Sequence, residues 1–259
     1  MTSFTQKTAI ITGAGRGIGA ATAYEFAALG ANVVLVARST KDIEKHADNI
    51  NNNTDFAGKA LALTGDVADY KQVKSIITKS LQDFDSIDFL INNAGIIDPI
   101  SRLDESKPEE WSRAIDINIK GVYNGMHAVI PPMRQQGHGV IVNLSSGAAN
   151  NALEGWSHYC TSKAAVKMLT MSGHKEYAES GITVVGLSPG TVATDMMSTI
   201  KESGVNPVSQ LDWSTHIPPE WPAKAIAFLC TDQGKPYSGT DFSIKTPEGR
   251  ALVGLNIPE

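Results

Sequence analysis

Thr12-Gly13-Ala14-Gly15-Arg16-Gly17-Ile18-Gly19 closes a short β-branched run, Thr8–Thr12, and opens a stretch of helical periodicity at Ile18–Leu29. Glycines at such a junction let the backbone turn sharply and approach a ligand where a Cβ would stand in the way. The helix that follows offers N–H groups without intrahelical partners and the positive end of its dipole, a setting that attracts phosphate. The glycines run G-x-x-x-G-x-G, which departs from the G-x-G-x-x-G dinucleotide fingerprint. Position therefore carries the reading: the turn sits on the first strand of a strand-helix alternation. Gly13, Gly15, Arg16, Gly17, Ile18 and Gly19 are the first candidate cofactor contacts.

Outward from this loop the alternation continues. Further strands are expected at Asn32–Ala37, Ala60–Thr64, Phe89–Asn92, Val140–Leu144, Thr183–Leu187 and Asp241–Ile244. Helical periodicity fills Thr40–Asn51, Tyr70–Phe84, Glu109–Arg134, Ser157–Glu179 and Pro219–Cys230. Runs such as Val33-Val34-Leu35-Val36 are apolar on successive residues. That pattern belongs to a strand covered on both faces, since a half-exposed strand alternates. Repeated strand-helix units then imply an α/β fold: a parallel sheet with right-handed crossovers and helices on both faces. No linker or repeat divides the chain, so residues 1–259 read as one domain. The long irregular stretch Asp195–Pro218 is expected to be a substrate lid.

Composition excludes several classes. The 259 residues carry 22 basic and 27 acidic side chains, a net charge of −5, which disfavours a nucleic-acid footprint. Two cysteines, Cys160 and Cys230, cannot build a disulfide framework or a four-cysteine zinc site. The six histidines show no metal-ligand spacing, so no metal site is expected. A polar N-terminus and the lack of a long apolar run point to a cytoplasmic protein with no membrane span.

Two constellations carry chemistry. NAD-preferring folds place a carboxylate on the ribose 2′-hydroxyl at the tip of the second strand. Here that tip reads Val36-Ala37-Arg38-Ser39. Arg38, with Arg16 as a second cation, suits a 2′-phosphate, so NADP(H) is expected ahead of NAD(H). Asp42 falls beyond the strand, at the next helix start. Further on, Tyr159-Cys160-Thr161-Ser162-Lys163 sets a phenol and an ammonium four residues apart, on one helix face. A cation beside a tyrosine favours its phenolate and brings it toward acid–base work. His158 and Cys160 point off that face, and Met168 and Met171 read as core or helix-interface residues.

These motifs, with Asn92-Asn93-Ala94-Gly95 and Pro189-Gly190, occur in the order and spacing of a known family. The sequence resembles the short-chain dehydrogenases/reductases over almost its whole length. The resemblance implies a three-layer, doubly wound Rossmann sheet of seven strands in the order 3-2-1-4-5-6-7. It casts Tyr159 as proton donor and acceptor, and Lys163 as the group that lowers its pKa and binds the nicotinamide ribose. Ser146 is the hydroxyl on the substrate oxygen, with Ser145 the neighbouring alternative. The resemblance implies that Asn118 bends its helix and holds a water that links the lysine to solvent. Asp66 and Val67 meet the adenine, and Asn93, Ala94 and Gly95 the adenosine ribose. Pro189, Gly190, Val192 and Thr194 frame the nicotinamide carboxamide.

Helices Glu109–Arg134 and Ser157–Glu179 resemble those that pair across subunits in the family, so a homodimer or homotetramer is expected. One departure stands out: many relatives carry Asp-Gly-Gly after the last strand, and this chain reads Ser243-Ile244-Lys245-Thr246-Pro247-Glu248-Gly249. The expected activity is hydride transfer between NADP(H) and a small carbonyl/alcohol pair. An NAD-dependent alcohol dehydrogenase and a non-catalytic dinucleotide-binding regulator are the alternatives. Asn150, Asn151 and Glu154 suggest a polar substrate, whereas Met196, Met197 and Trp213 suggest an apolar one. Sequence leaves that choice open.

Overall fold

A computed structural model describes residues 3–255. Seven strands form one sheet: β1 Thr8–Thr12, β2 Asn32–Ala37, β3 Ala60–Thr64, β4 Phe89–Asn92, β5 Gly139–Leu144, β6 Ile182–Ser188 and β7 Asp241–Ser243. They lie in the order β3-β2-β1-β4-β5-β6-β7, and every pairing is parallel. The expected Rossmann arrangement is the one observed.

Consecutive apolar residues fill both sides of this sheet. Ile11, Leu35 and Val185 face a core shared with α1 Gly17–Ala28, α2 Thr40–Asn51 and the later helix Glu220–Leu229. Ile10, Val34 and Val184 turn the other way, toward α3 Tyr70–Phe84 and the helices 121–136 and 157–177. Because side chains alternate along a strand, neighbours in sequence are needed in opposite cores. A third, smaller cluster joins Ile97, Ala148, Trp156, Tyr159, Met197 and Ile200, in segments that follow β4, β5 and β6.

Two regions differ from expectation. The helix expected over Glu109–Arg134 is three pieces: α4 Pro108–Ile115, a π-turn Asp116–Lys120, and α5 Gly121–Gln136. Asn118, a weak helix former, sits in the π-turn with its side chain bound to the Ile96 backbone, which supports the widened turn. The stretch Asp195–Pro218 is not irregular. It folds as α7 Asp195–Ser203, which follows α6 Ser157–Tyr177, and then makes two 3-10 turns, Pro207–Gln210 and Trp213–Thr215. Thr194 sits at the extended N-cap of α7, Asp195 suits its first turn, and Gly204 ends it at φ 63°. These short-range signals were legible; the brevity of the helix hid them.

Helices α8 Glu220–Leu229 and α9 Pro247–Leu252 complete the described chain. Met168 and Met171 are not core residues; at 59% and 44% exposure they lie on the outer face of α6. Among the described residues no helix is long and apolar enough to cross a membrane, and no cluster of His, Cys, Asp and Glu could hold a metal ion.

Candidate active site

A cleft of about 990 Å³ runs along the C-terminal ends of the strands, where open α/β sheets bind ligands. Gly13 and Gly17 hold φ values of 67° and 54°, a left-handed region that disfavours side chains. Thr12 and Asn93 tie the glycine loop to the end of β4. Thr12 Oγ1 donates to the Ile91 carbonyl and accepts the Asn93 and Ala94 amides at 3.0 and 3.1 Å. The Asn93 amide returns a bond of 2.9 Å to the Thr12 carbonyl and one of 3.2 Å to that of Gly13. Asn93 thus shapes the loop as well as lining the cleft.

Gly19 differs from its neighbours. It does not line the cleft but lies behind the loop, where a Cβ would strike the Gly13 carbonyl and come within 2.6 Å of the Asn93 amide. Gly19→Ala should therefore displace the loop and weaken nicotinamide-dinucleotide binding by at least about tenfold. Fluorescence titration with NADPH measures this, and an unchanged Kd would refute the packing role.

The first turn of α1 carries no acidic residue, and Arg16 at its N-cap makes no side-chain cap. Its N–H groups are thus left for an external anion, and the fit to a pyrophosphate is good. At the far end, Arg38 lines the cleft with no ion pair among the described residues. Asp42, in the first turn of α2, lines it too, its carboxylate over Gly15. Arg16 was expected beside Arg38 as a second phosphate ligand. Its guanidinium instead pairs with Asp195 across the cleft mouth at 2.9 Å, both side chains being largely exposed. A surface pair of this kind is weak and exchanges readily. Asp66 and Val67 follow β3 and face the same end, and Asp66 also accepts the Ala68 amide.

Toward the other end, Gly95, Ser146, Tyr159, Lys163, Pro189, Gly190, Val192 and Thr194 line one wall. The structure separates the two serines. Ser145 donates to the Asp241 carboxylate at 2.8 Å, whereas Ser146 lies beside the Tyr159 hydroxyl and accepts the Ala148 amide at 3.2 Å. Lys163 is buried, donates to the Leu144 carbonyl at 2.6 Å, and stands 5.5 Å from the centre of the Tyr159 ring. Asn118 was expected to bend its helix and link Lys163 to solvent through a water, and it does sit in the π-turn Asp116–Lys120. Its side chain is taken up by the Ile96 backbone and Ser162, so it sits behind Lys163 and outside the cleft lining.

The expected depression of the tyrosine pKa is not what this geometry produces. Burial pushes the Tyr159 phenol up to about 12, against a smaller opposing effect from the Ser146 hydrogen bond. Burial likewise pushes Lys163 down to about 8, with Asp241 opposing. Desolvation disfavours the charged form of each group and outweighs their proximity.

Thr12, Asp241 and Ser162 are site-building residues that spacing arguments passed over. The available signal was a carboxylate, Asp241, opening a strand that pairs with the fully buried β6. His158 is buried with Nε2 on the Ile97 carbonyl at 2.6 Å, and burial lowers its pKa, so it serves packing.

A glycine-turn dinucleotide cleft ending in a buried Tyr/Lys pair defines a class of nicotinamide oxidoreductases. The model of the family described as short chain dehydrogenase matches residues 7–204. The chain is 36% identical over 247 residues to a 3-oxoacyl-[acyl-carrier-protein] reductase of Synechocystis sp., covering 94% of this chain and 97% of that one. It is 31% identical over 244 residues to a cyclohexanol dehydrogenase of Acinetobacter sp., covering 93% and 94%. The crystal structure of a 3-ketoacyl-(acyl-carrier-protein) reductase from Brucella melitensis complexed with NADH superposes with a TM-score of 0.83 at 30% identity, over 93% of this chain and 98% of that one. This protein belongs to the short-chain dehydrogenase family and is an oxidoreductase of that family.

Proposed function

We propose that this protein moves a hydride between NADP(H) and a carbonyl/secondary-alcohol pair, with Tyr159 as the acid and base. The observation that carries the reading is one continuous cleft that starts at the glycine loop and ends at Ser146, Tyr159 and Lys163. The uncapped α1 terminus and Gly13, Gly15, Gly17 and Ile18 hold the pyrophosphate. Asn93, Ala94, Gly95, Asp66 and Val67 flank the adenosine, and Pro189, Gly190, Val192 and Thr194 the carboxamide. Bound there, the nicotinamide supplies or accepts the hydride. In reduction the Tyr159 phenol gives its proton to the carbonyl oxygen, so hydride and proton together turn the ketone into a secondary alcohol. Ser146 donates a hydrogen bond to that oxygen as charge develops on it. Lys163 holds the ribose hydroxyls, and the π-turn around Asn118 gives it a water path for proton return.

Arg38 supports NADP(H), since an unpaired guanidinium at the tip of β2 suits a phosphate. Arg38→Ala should lower the NADPH/NADH ratio of kcat/KM by about 10–100-fold, the value of one charged hydrogen-bonding contact. Asp42 favours the second reading, an NAD-dependent alcohol dehydrogenase, in which its carboxylate takes the 2′-hydroxyl. An unchanged ratio in Arg38→Ala, with loss of NADH activity in Asp42→Ala, would establish that reading. Turnover of both nicotinamides over a ketone panel tests the activity itself. We also read Tyr123, Met168 and Met171, exposed on α5 and α6, as a subunit interface of a homodimer or homotetramer; light scattering at the monomer mass would exclude it.

A further inference from the structure

The polarity of the substrate end, left open by the sequence, follows from where its side chains point. Asn150 accepts a hydrogen bond from Lys167 at 2.7 Å, and Glu154 pairs with Arg102 at 2.6 Å. Neither residue lines the cleft, and nor does Trp213, which packs edge-on against His216. Of the polar candidates only Asn151 reaches the cleft, at its exposed rim, with its amide on the Gly147 carbonyl. Beyond Tyr159 the wall is Ala148, Leu153 and Trp156 from the β5–α6 connection, faced by Met197 and Ile200 of α7 and Val208 of the next turn. These side chains belong to one apolar cluster, separate from both sheet cores.

Among the residues lining the cleft, none of Ala148, Leu153, Trp156, Met197, Ile200 and Val208 at this end is charged. The charged residues of the cleft lie elsewhere. Arg38, Asp42 and Asp66 stand at the adenosine end, and Arg16 and Asp195 face each other at the exposed mouth, outside the apolar wall. Lys163 lies under Tyr159, and Lys245 is an exposed residue beside Gly190. A carboxylate or phosphate carried into the apolar end would lose its water and meet no counter-charge. An apolar body gains in proportion to the area it buries.

We propose that the substrate carries a neutral, apolar body around its ketone or secondary alcohol, and is not a keto acid whose free carboxylate would enter this end. The proposal rests on the oxidoreductase reading above and narrows it. The test measures kcat/KM with NADPH for cyclohexanone, 4-methylcyclohexanone and 4-oxocyclohexanecarboxylate. The neutral ketones should exceed the carboxylate by at least about 100-fold. Ile200→Ala should reduce the rate on 4-methylcyclohexanone by roughly tenfold or more, and that on cyclohexanone by less. Equal or faster turnover of the carboxylate overturns the proposal. Absence of turnover with every ketone and both nicotinamides defeats the activity reading instead. In that case calorimetric binding of cyclohexanol against 4-oxocyclohexanecarboxylate, in the presence of NADP⁺, still decides the pocket: tighter binding of the carboxylate overturns it.

Discussion

Tyr159→Phe lowers kcat by about 10²–10⁴-fold, the usual contribution of a positioned acid or base, and leaves NADPH binding unchanged. One oxygen is removed and the ring stays in place, held by its edge-on contact with Trp156 at 5.5 Å. The hydroxyl is the only part of the side chain that can exchange a proton. A phenol held near 12 is protonated throughout the neutral range. The donor for reduction is then fully populated, and the base for oxidation is scarce. Alcohol oxidation should therefore rise about tenfold per pH unit on the acid side of the pKa while reduction stays flat. Steady-state rates in both directions from pH 6 to about pH 10, with fluorescence titration of NADPH, measure these effects. Equal turnover by the two proteins would remove Tyr159 from the chemistry.

Lys163→Met produces an effect of opposite sign on stability and on activity. Lys163 is buried with its ammonium shifted down to about 8 from 10.5. Below pH 8 the native state carries a charged lysine that burial disfavours, and the full penalty is present. Between about pH 8 and 10.5 the unfolded chain binds more protons than the native one, so stability rises with pH across that window. Methionine fills similar space without the charge, at the cost of the bond to the Leu144 carbonyl. The variant should gain about 2 kcal/mol at pH 7, less than the full shift corresponds to, because that carbonyl loses its partner. For a chain of this size that is roughly 4–8 °C in Tm.

The advantage should shrink as pH climbs from 8 toward 10.5. Tyr159, whose raised pKa makes stability fall between about pH 10 and 12, is common to both proteins and cancels in the difference. Activity should drop with the loss of the ribose contact and of the cation below the phenol. Calorimetric scans at pH 7 and pH 10 with parallel rate measurements check both halves, and an unstable variant at pH 7 would contradict the burial argument. An oxidoreductase that keeps this lysine gives up stability for function.

The strands were legible because each is local in its pattern. β1, β2, β3 and β4 fall on the expected residues; β5 and β7 differ by one residue at one end, and β6 by one residue at each end. A strand buried on both faces must be apolar at successive positions, and short runs of that kind leave little choice of bounds. The glycine loop was equally legible, since Gly13 and Gly17 occupy conformations that other residues disfavour. What spacing could not reveal was the direction of a balance. An i, i+4 phenol and ammonium share a face whatever surrounds them. Whether proximity or desolvation governs their pKa values depends on the depth at which α6 is packed.

Sequence by itself therefore determined the class of this protein: a seven-stranded parallel α/β fold, a dinucleotide loop on its first strand, and a Tyr159/Lys163 pair on one helix face. Tertiary structure supplied the physical reason why Ser146, the serine that the resemblance selects, is the one left beside the tyrosine. The carboxylate that takes Ser145 is Asp241, ninety-six residues away, on a neighbouring region of the sheet. It also turned Asn150 and Glu154 outward to Lys167 and Arg102, leaving the substrate end to Trp156, Met197 and Ile200. The division has a physical cause. Backbone preference and burial periodicity act over a few residues and are written into each segment. Charge pairing, desolvation and the lining of a cleft join side chains that only the closed sheet brings together.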